Sequence, residues 1–270
     1  MSVMRLFIDE TLVTAPITYP LAAGWVSAEK DIEIEVRSDL RASDLEGPGG
    51  DALALLPIAE VAAWQQTHVV APDLAVIAGY TGAIVARMPL RPDEIERTAV
   101  HLWQAGSGAE VLARATLRPF YGIEPTSWIR DPDDPISADA RVVVTEGVEA
   151  LRPPETGFAE DLCRAWFIMT GMPAVTHLLL VPRARESEEL APALAWLDAV
   201  RQVGHERRRE IRRALSEQHE LPLESLNALF SEQRLSLRPD DRRAVVRLLD
   251  QGLRGSRFPA VTALAFLSDP

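Results

Sequence analysis

The chain has 270 residues, enough for one large domain or two small ones at roughly 100–200 residues each. Hydrophobic residues make up 47% and charged residues 25%, which excludes a disordered, collagenous or disulfide-scaffold chain. The 28 basic and 40 acidic residues leave a net charge of −12. Such a charge repels phosphate backbones and anionic lipid, so neither nucleic acid nor a membrane is an expected partner. Cys163 is the single cysteine; it excludes an internal disulfide, and no metal is expected. Asp9 and Glu10 cut short the opening apolar patch, which falls below the roughly 7–15 residues of a signal-peptide core. No apolar run approaches the roughly 18 residues of a membrane helix. A cytoplasmic protein is expected.

In chain order, short apolar and β-branched runs predict strands at 4–8, 32–36, 52–56, 74–78, 83–86, 99–103, 141–144 and 175–181. Helical patterns alternate with several of them, at 57–67, 107–121 and 159–169, the last stopped by Gly171 and Pro173. From 186 onward the chain reads as three helices, 186–219, 223–232 and 240–253, with Pro222 and Pro239 near two of the starts. Strands alternating with helices and followed by a helical tail predict an α/β protein of two lobes, the tail packing back on one of them. Loops are expected at 46–50, 131–134 and 152–157, each dense in Pro, Gly or acid.

Few residues announce chemistry. The five histidines form no HxH or HExxH pattern. His101 and His177 sit inside apolar strands, where a hydrogen-bonded core histidine is the expected role. No GxSxG or activating motif supports a nucleophile, and Cys163 reads as a buried structural thiol. Without GxGxxG or GxxxxGK[ST], no nucleotide cofactor is expected, nor any other. Gly106-Ser107-Gly108, between a strand and a helix, offers either an anion seat of free N–H groups or a loop whose glycines permit tight packing. The arginines from Arg207 to Arg213, interleaved with Glu210 and preceded by Glu206, read as a solvated, ion-paired helix face.

Four stretches stand out: Thr11-Leu12-Val13-Thr14-Ala15-Pro16, then Gly50-Asp51-Ala52-Leu53-Ala54-Leu55-Leu56-Pro57, then Asp139 to Glu146, and finally Asp161-Leu162-x-x-x-Trp166-x-x-x-Thr170-Gly171-Met172-Pro173. Together they resemble one family, the chorismate dehydratases of the futalosine route to menaquinone. The last stretch is the most distinctive, and the sister enzyme that forms dihydroxynaphthoate shares it. The resemblance implies a two-lobed, periplasmic-binding-protein-like type II fold: lobe 1 from 1–83 and 179–270, its helical C-terminal segment returning to it, and lobe 2 from 84–178. Crossing strands near 83–86 and 175–181 would form the hinge. A small anionic molecule, chorismate or a related carboxylate, would occupy the cleft between the lobes.

The departures from the family matter as much. An Asn expected in the opening loop is Val13, and a Ser expected before the hinge is Ala83. The helix-start turn keeps one hydroxyl, Ser107, and the strand-end acid is Glu146 after Thr145. Thr11, Thr14, Thr81, Arg87 and Ser107 are the expected replacement donors for the ligand, and Glu146 is the candidate general base. The activity implied is dehydration of chorismate by a carbon–oxygen lyase. The alternative is a non-catalytic or repurposed protein that holds a small carboxylate on the same scaffold. The sister activity is less well matched, since its proline- and asparagine-rich opening and its histidine have no counterpart here.

Overall fold

The structure, a computed structural model, describes residues 3–27, 29, 31–45, 52–81, 83–130, 140–185, 187–262 and 264–267. In order, the elements are β1 (Met4–Asp9), α1 (Ala15–Ala22), β2 (Ile32–Arg37), β3 (Leu53–Pro57), α2 (Val61–Trp64), β4 (His68–Ala78), β5 (Ile84–Met88), β6 (Arg97–Leu102), α3 (Ser107–Tyr121) and β7 (Glu124–Ile129). There follow β8 (Ala140–Glu146), α4 (Val148–Leu151), β9 (Phe158–Asp161), α5 (Leu162–Thr170), β10 (Ala174–Pro182), α6 (Ser187–Glu206), α7 (Arg208–His219), α8 (Leu223–Glu232) and α9 (Asp241–Gly252). The loops expected at 46–50 and 131–134 lie outside the described residues.

Two five-stranded sheets result, ordered β2-β1-β3-β10-β4 and β7-β6-β8-β5-β9. Each has four strands running one way and one reversed: β10 runs against β3 and β4, and β5 against β8 and β9. Every residue of β3 and β10 is buried, as befits strands covered on both faces, whose sequences are continuous apolar runs. The chain passes between the sheets at 79–83 and 162–173. The strands expected to cross, β5 and β10, each belong wholly to one sheet. The expected division at 178 therefore falls inside β10.

The tail reaches both sheets. Helix α6 packs on α1 and β4, and Phe266 pairs alongside Val70 at the free edge of β4. Helix α9 packs on β10 and also on α3, the helix that follows the second sheet's β6. Apolar side chains from both sheets and from α3, α5 and α9 share one core, Leu56, Val100, Val144, Trp166 and Leu248 among them.

Several expectations needed correction. The helix expected at 57–67 shrinks to α2, and β4 begins at His68 and runs through Pro72. The ladder with β10 slips between Leu178 and Leu179, which is where a proline in a strand is tolerated. Strand β7 was not expected, because Pro125 and Ser127 interrupt its pattern; it lies at a sheet edge, where proline costs little. Strand β9 takes residues assigned to the start of a helix. The long helix 186–219 is two helices broken at Arg207, whose guanidinium stacks 3.6 Å from the Trp25 ring.

Candidate functional site

The C-terminal ends of four parallel strands face one another across the gap between the sheets: Asp9 on β1, Pro57 on β3, Leu102 on β6 and Glu146 on β8. Ligands of open α/β sheets bind at such ends. They line a cavity of about 350 Å³, within the usual range for small-molecule sites. Thr11, Asp39, Arg41 and His177 complete the wall on the first-sheet side; Gln104, Gly106, Gly108 and Arg130 complete it on the other.

Asp9 and His177 are both buried. Asp9 Oδ1 accepts the Leu40 N–H at 2.7 Å, and Oδ2 lies 3.1 Å from His177 Nε2. Behind the ring, Thr176 Oγ1 lies 3.1 Å from Nδ1 and 3.2 Å from the Val76 carbonyl. The Thr176 hydroxyl has one hydrogen, which the Val76 carbonyl takes, so its oxygen accepts from Nδ1–H. That bond turns Nε2 towards a carboxylate already oriented by Leu40, an arrangement in which the proton between Asp9 and His177 is held by charge-assisted bonding.

Glu146 ends β8 and takes the Gly106 N–H on Oε2 at 2.9 Å. Burial pushes its carboxyl above the ordinary glutamate value, with Asp9 and Asp39 adding to the shift; His177 and the Gly106 N–H oppose it. Gly106 is also the N-cap of α3. The first-turn N–H groups of residues 107–109 have no partner within the helix, and Gly106 and Gly108 open that positive end to the cavity. Arg130 is aimed from the same side. Its guanidinium donates to the Ala105 carbonyl at 3.0 Å and to Glu110 at 2.7 Å, while its buried Nε has no hydrogen-bond partner among the described residues. Arg41 bonds Asp39 at 2.5 Å across the first-sheet rim. Two guanidiniums, a histidine and three carboxyls thus face one small volume, and no group of three or more His, Cys, Asp and Glu arranged to hold a metal occurs among the described residues.

Of the residues proposed from sequence, Thr11 and Glu146 line the cavity. Thr14 lies one layer behind, its hydroxyl donating to the Asp9 carbonyl at 2.8 Å and closing a reciprocal cap with Thr11. Ser107 is buried in the first turn of α3, and the backbone of its two glycine neighbours forms the wall there. Thr81 lies in the connection from β4 to β5, away from the cavity lining. Arg87 is turned to α4, donating to the Glu149 and Arg152 carbonyls at 2.5 and 2.6 Å. Val13 is buried, and its carbonyl accepts from Gln233 at 2.7 Å. Ala83, also buried, has φ of +51° and receives the Gly147 N–H at 2.8 Å.

Sequence reasoning missed Asp9, Asp39, Arg41, Gln104 and Arg130; His177 is the buried, hydrogen-bonded histidine expected, and it also lines the cavity. Asp9 and His177 carried a readable signal: Asp9 ends an apolar strand and His177 interrupts one, and a buried polar group demands a partner. His101, read as hydrogen-bonded, is buried, and neither ring nitrogen has a partner among the described residues.

The family described as menaquinone biosynthesis matches residues 14–253. No curated protein matches the sequence significantly. Among solved structures, protein AF1704 from Archaeoglobus fulgidus superposes with a TM-score of 0.69 at 14% identity, covering 94% of this chain and 98% of that one. The alkanesulfonate-binding protein SsuA from Xanthomonas axonopodis pv. citri, bound to MOPS, gives 0.65 at 10% identity over 98% and 99% of the two chains. An ABC transporter from Parabacteroides distasonis gives 0.62 at 15% identity over both chains entire. The fold is periplasmic-binding-protein-like, and among the described residues no helix is long and apolar enough to cross a membrane. With the family match extending over most of its length, the chain belongs to the menaquinone biosynthesis family.

Proposed function

We propose that this protein is a chorismate dehydratase-like lyase of the cytoplasm, converting chorismate to 3-[(1-carboxyvinyl)oxy]benzoate and water. The observation that carries this reading is the meeting of Glu146 with the Asp9–His177 pair at the strand ends of one cavity. Chorismate is a dicarboxylate. Arg130 and the α3 N-terminus suit one carboxylate, and Arg41 on the facing wall suits the other. Glu146, whose protonated form burial favours, gives its proton to the C4 hydroxyl as that group leaves as water. The carboxylate so formed takes the ring proton, the ring becomes aromatic, and Glu146 ends as it began. His177, both of its nitrogens engaged by Thr176 and Asp9, holds the Asp9 carboxylate in place rather than transferring a proton.

The alternative, a binder without turnover, draws its support from the apolar side chains Val13 and Ala83. One experiment separates the two: incubation with chorismate, chromatography of substrate and product, and thermal melting alongside. Product formed by the wild type and lost in Glu146→Gln supports the lyase. A raised melting temperature without product supports the binder. Neither effect would exclude chorismate as the ligand.

A further inference from the structure

A second concavity of about 280 Å³ lies between α6, α7 and the segment joining α8 to α9. Its wall carries five arginines and a histidine and no acidic residue, although the whole chain has a net charge of −12. Two of the five are neutralised outside the pocket: Arg201 by Asp198, and Arg234 by a two-pronged bond to Asp241 at 2.7 and 2.8 Å. Arg208 and Arg212, one helical turn apart on α7, have no carboxylate partner among the described residues. Arg208 donates to the His205 ring and carbonyl, each at 3.1 Å, and Arg212 to the Arg208 carbonyl at 3.2 Å. Burial, and then the neighbouring charges of Arg208 and Arg209, lower the pKa of Arg212.

The floor beneath them is apolar, formed by Pro16, Ile211 and Phe230. It is also rigidly built. A Cβ on Gly204 would stand 1.9 Å from the Pro16 carbonyl oxygen, so α6 and α1 touch there backbone to backbone. Arg234 is fixed on the other side by a mutual backbone pair with Ile77 of β4. Like charges converging on a fixed concave surface are unfavourable unless an anion joins them. Two guanidiniums stacked one helical turn apart suit a tetrahedral, many-oxygen anion better than a planar carboxylate, which a single guanidinium satisfies.

We propose that this pocket is a second ligand site, distinct from the interlobe cavity, and that it takes the phosphate group of a small molecule through Arg208 and Arg212. The test titrates the full chain with inorganic pyrophosphate by calorimetry at constant ionic strength, with chloride as the control anion. Saturable binding that falls at least about ten-fold in the double variant Arg208→Ala/Arg212→Ala is the expected result. The lysine pair at the same positions should bind with intermediate affinity. Arg209→Ala/Arg213→Ala, which removes equal charge elsewhere on α7, should bind like the wild type. Absence of saturable binding, or equal loss in both alanine pairs, overturns the proposal. Binding only to vesicles containing phosphatidic acid overturns it as well, since the anion would then be a lipid surface. Because neither Arg208 nor Arg212 is salt-bridged among the described residues, unchanged melting of the ligand-free double variant confirms that the comparison is between folded proteins.

Discussion

Asp9 Oδ2 and His177 Nε2 lie 3.1 Å apart although β3 separates their strands in the sheet. The contact forms because Asp9 ends β1, beyond the last residue of that strand paired with β3, and His177 stands opposite Pro57, the residue that ends β3. Removing one partner leaves the other charged and buried, a loss of about 3–5 kcal/mol in comparable pairs. His177→Ala should therefore destabilise the protein by that order in denaturant unfolding. The double variant Asp9→Asn/His177→Ala should lose clearly less than the sum of the single losses. Strict additivity would mean that the two side chains do not interact in solution.

Glu146 gives a pH dependence whose sign is fixed. A carboxyl whose pKa is raised on folding binds its proton more tightly in the folded state, so stability falls as pH rises from its unfolded value through its folded one. Glu146→Gln keeps an acceptor for Gly106 and removes the titration. Its melting temperature should exceed that of the wild type at neutral and mildly alkaline pH, and the difference should shrink in acid, where Glu146 is protonated in both states. A constant difference across pH would show that burial does not raise this group.

Gly106 makes the position of Glu146 testable without touching the acid. Its φ of −70° is open to any residue, but a Cβ there would stand 3.0 Å from Glu146 Oε2. Gly106→Ala should displace the carboxylate and lower turnover by at least about ten-fold, with stability changed by less than about 1 kcal/mol. Full activity in this variant would place Glu146 outside the chemistry.

The most distinctive motif of the sequence proves to be scaffold. Asp161 caps α5 by accepting the Cys163 and Arg164 N–H groups at 2.9 and 3.0 Å. Leu162 and Trp166 are buried, the Trp166 indole donates to the Pro173 carbonyl at 3.2 Å, and Gly171 ends the helix with φ of +69°. Each of these roles is local, so the sequence displays it. The apolar strands were legible for the same reason. Asp39, Gln104 and Arg130 instead reach the cavity from loops and strand ends, and only the two-sheet arrangement brings them together. The arginine-rich helix shows the limit well. The ion pairing expected on that face includes a two-pronged bond from Arg207 to Glu210, while Arg208 and Arg212 face a pocket that periodicity alone does not reveal.

Arg130 owes its place to Glu110, a buried acid that also bonds Arg114 at 2.9 Å. Replacing Arg130 with Gln leaves Glu110 its second partner, so the fold should hold. The cavity loses its charged donor, and affinity for a carboxylate ligand should drop about 10- to 100-fold by calorimetry, as for other hydrogen bonds to charged groups. An unchanged affinity would remove Arg130 from the binding wall.

Gly252 tests how firmly the tail holds the cavity. It is buried at the end of α9, where a Cβ would meet the Val111 carbonyl oxygen at 2.4 Å. In an open helix, Gly→Ala stabilises by about 1 kcal/mol. Here the added methyl drives into the backbone of α3, and overpacking of that kind costs about 1–3 kcal/mol. The steric term outweighs the propensity gain, so Gly252→Ala should lower the melting temperature. Because α3 carries the Gly106–Gly108 wall, the same variant should also weaken ligand binding, although residue 252 lies outside the cavity lining. A raised melting temperature would mean that α9 stands further from α3 in solution and does not brace the site.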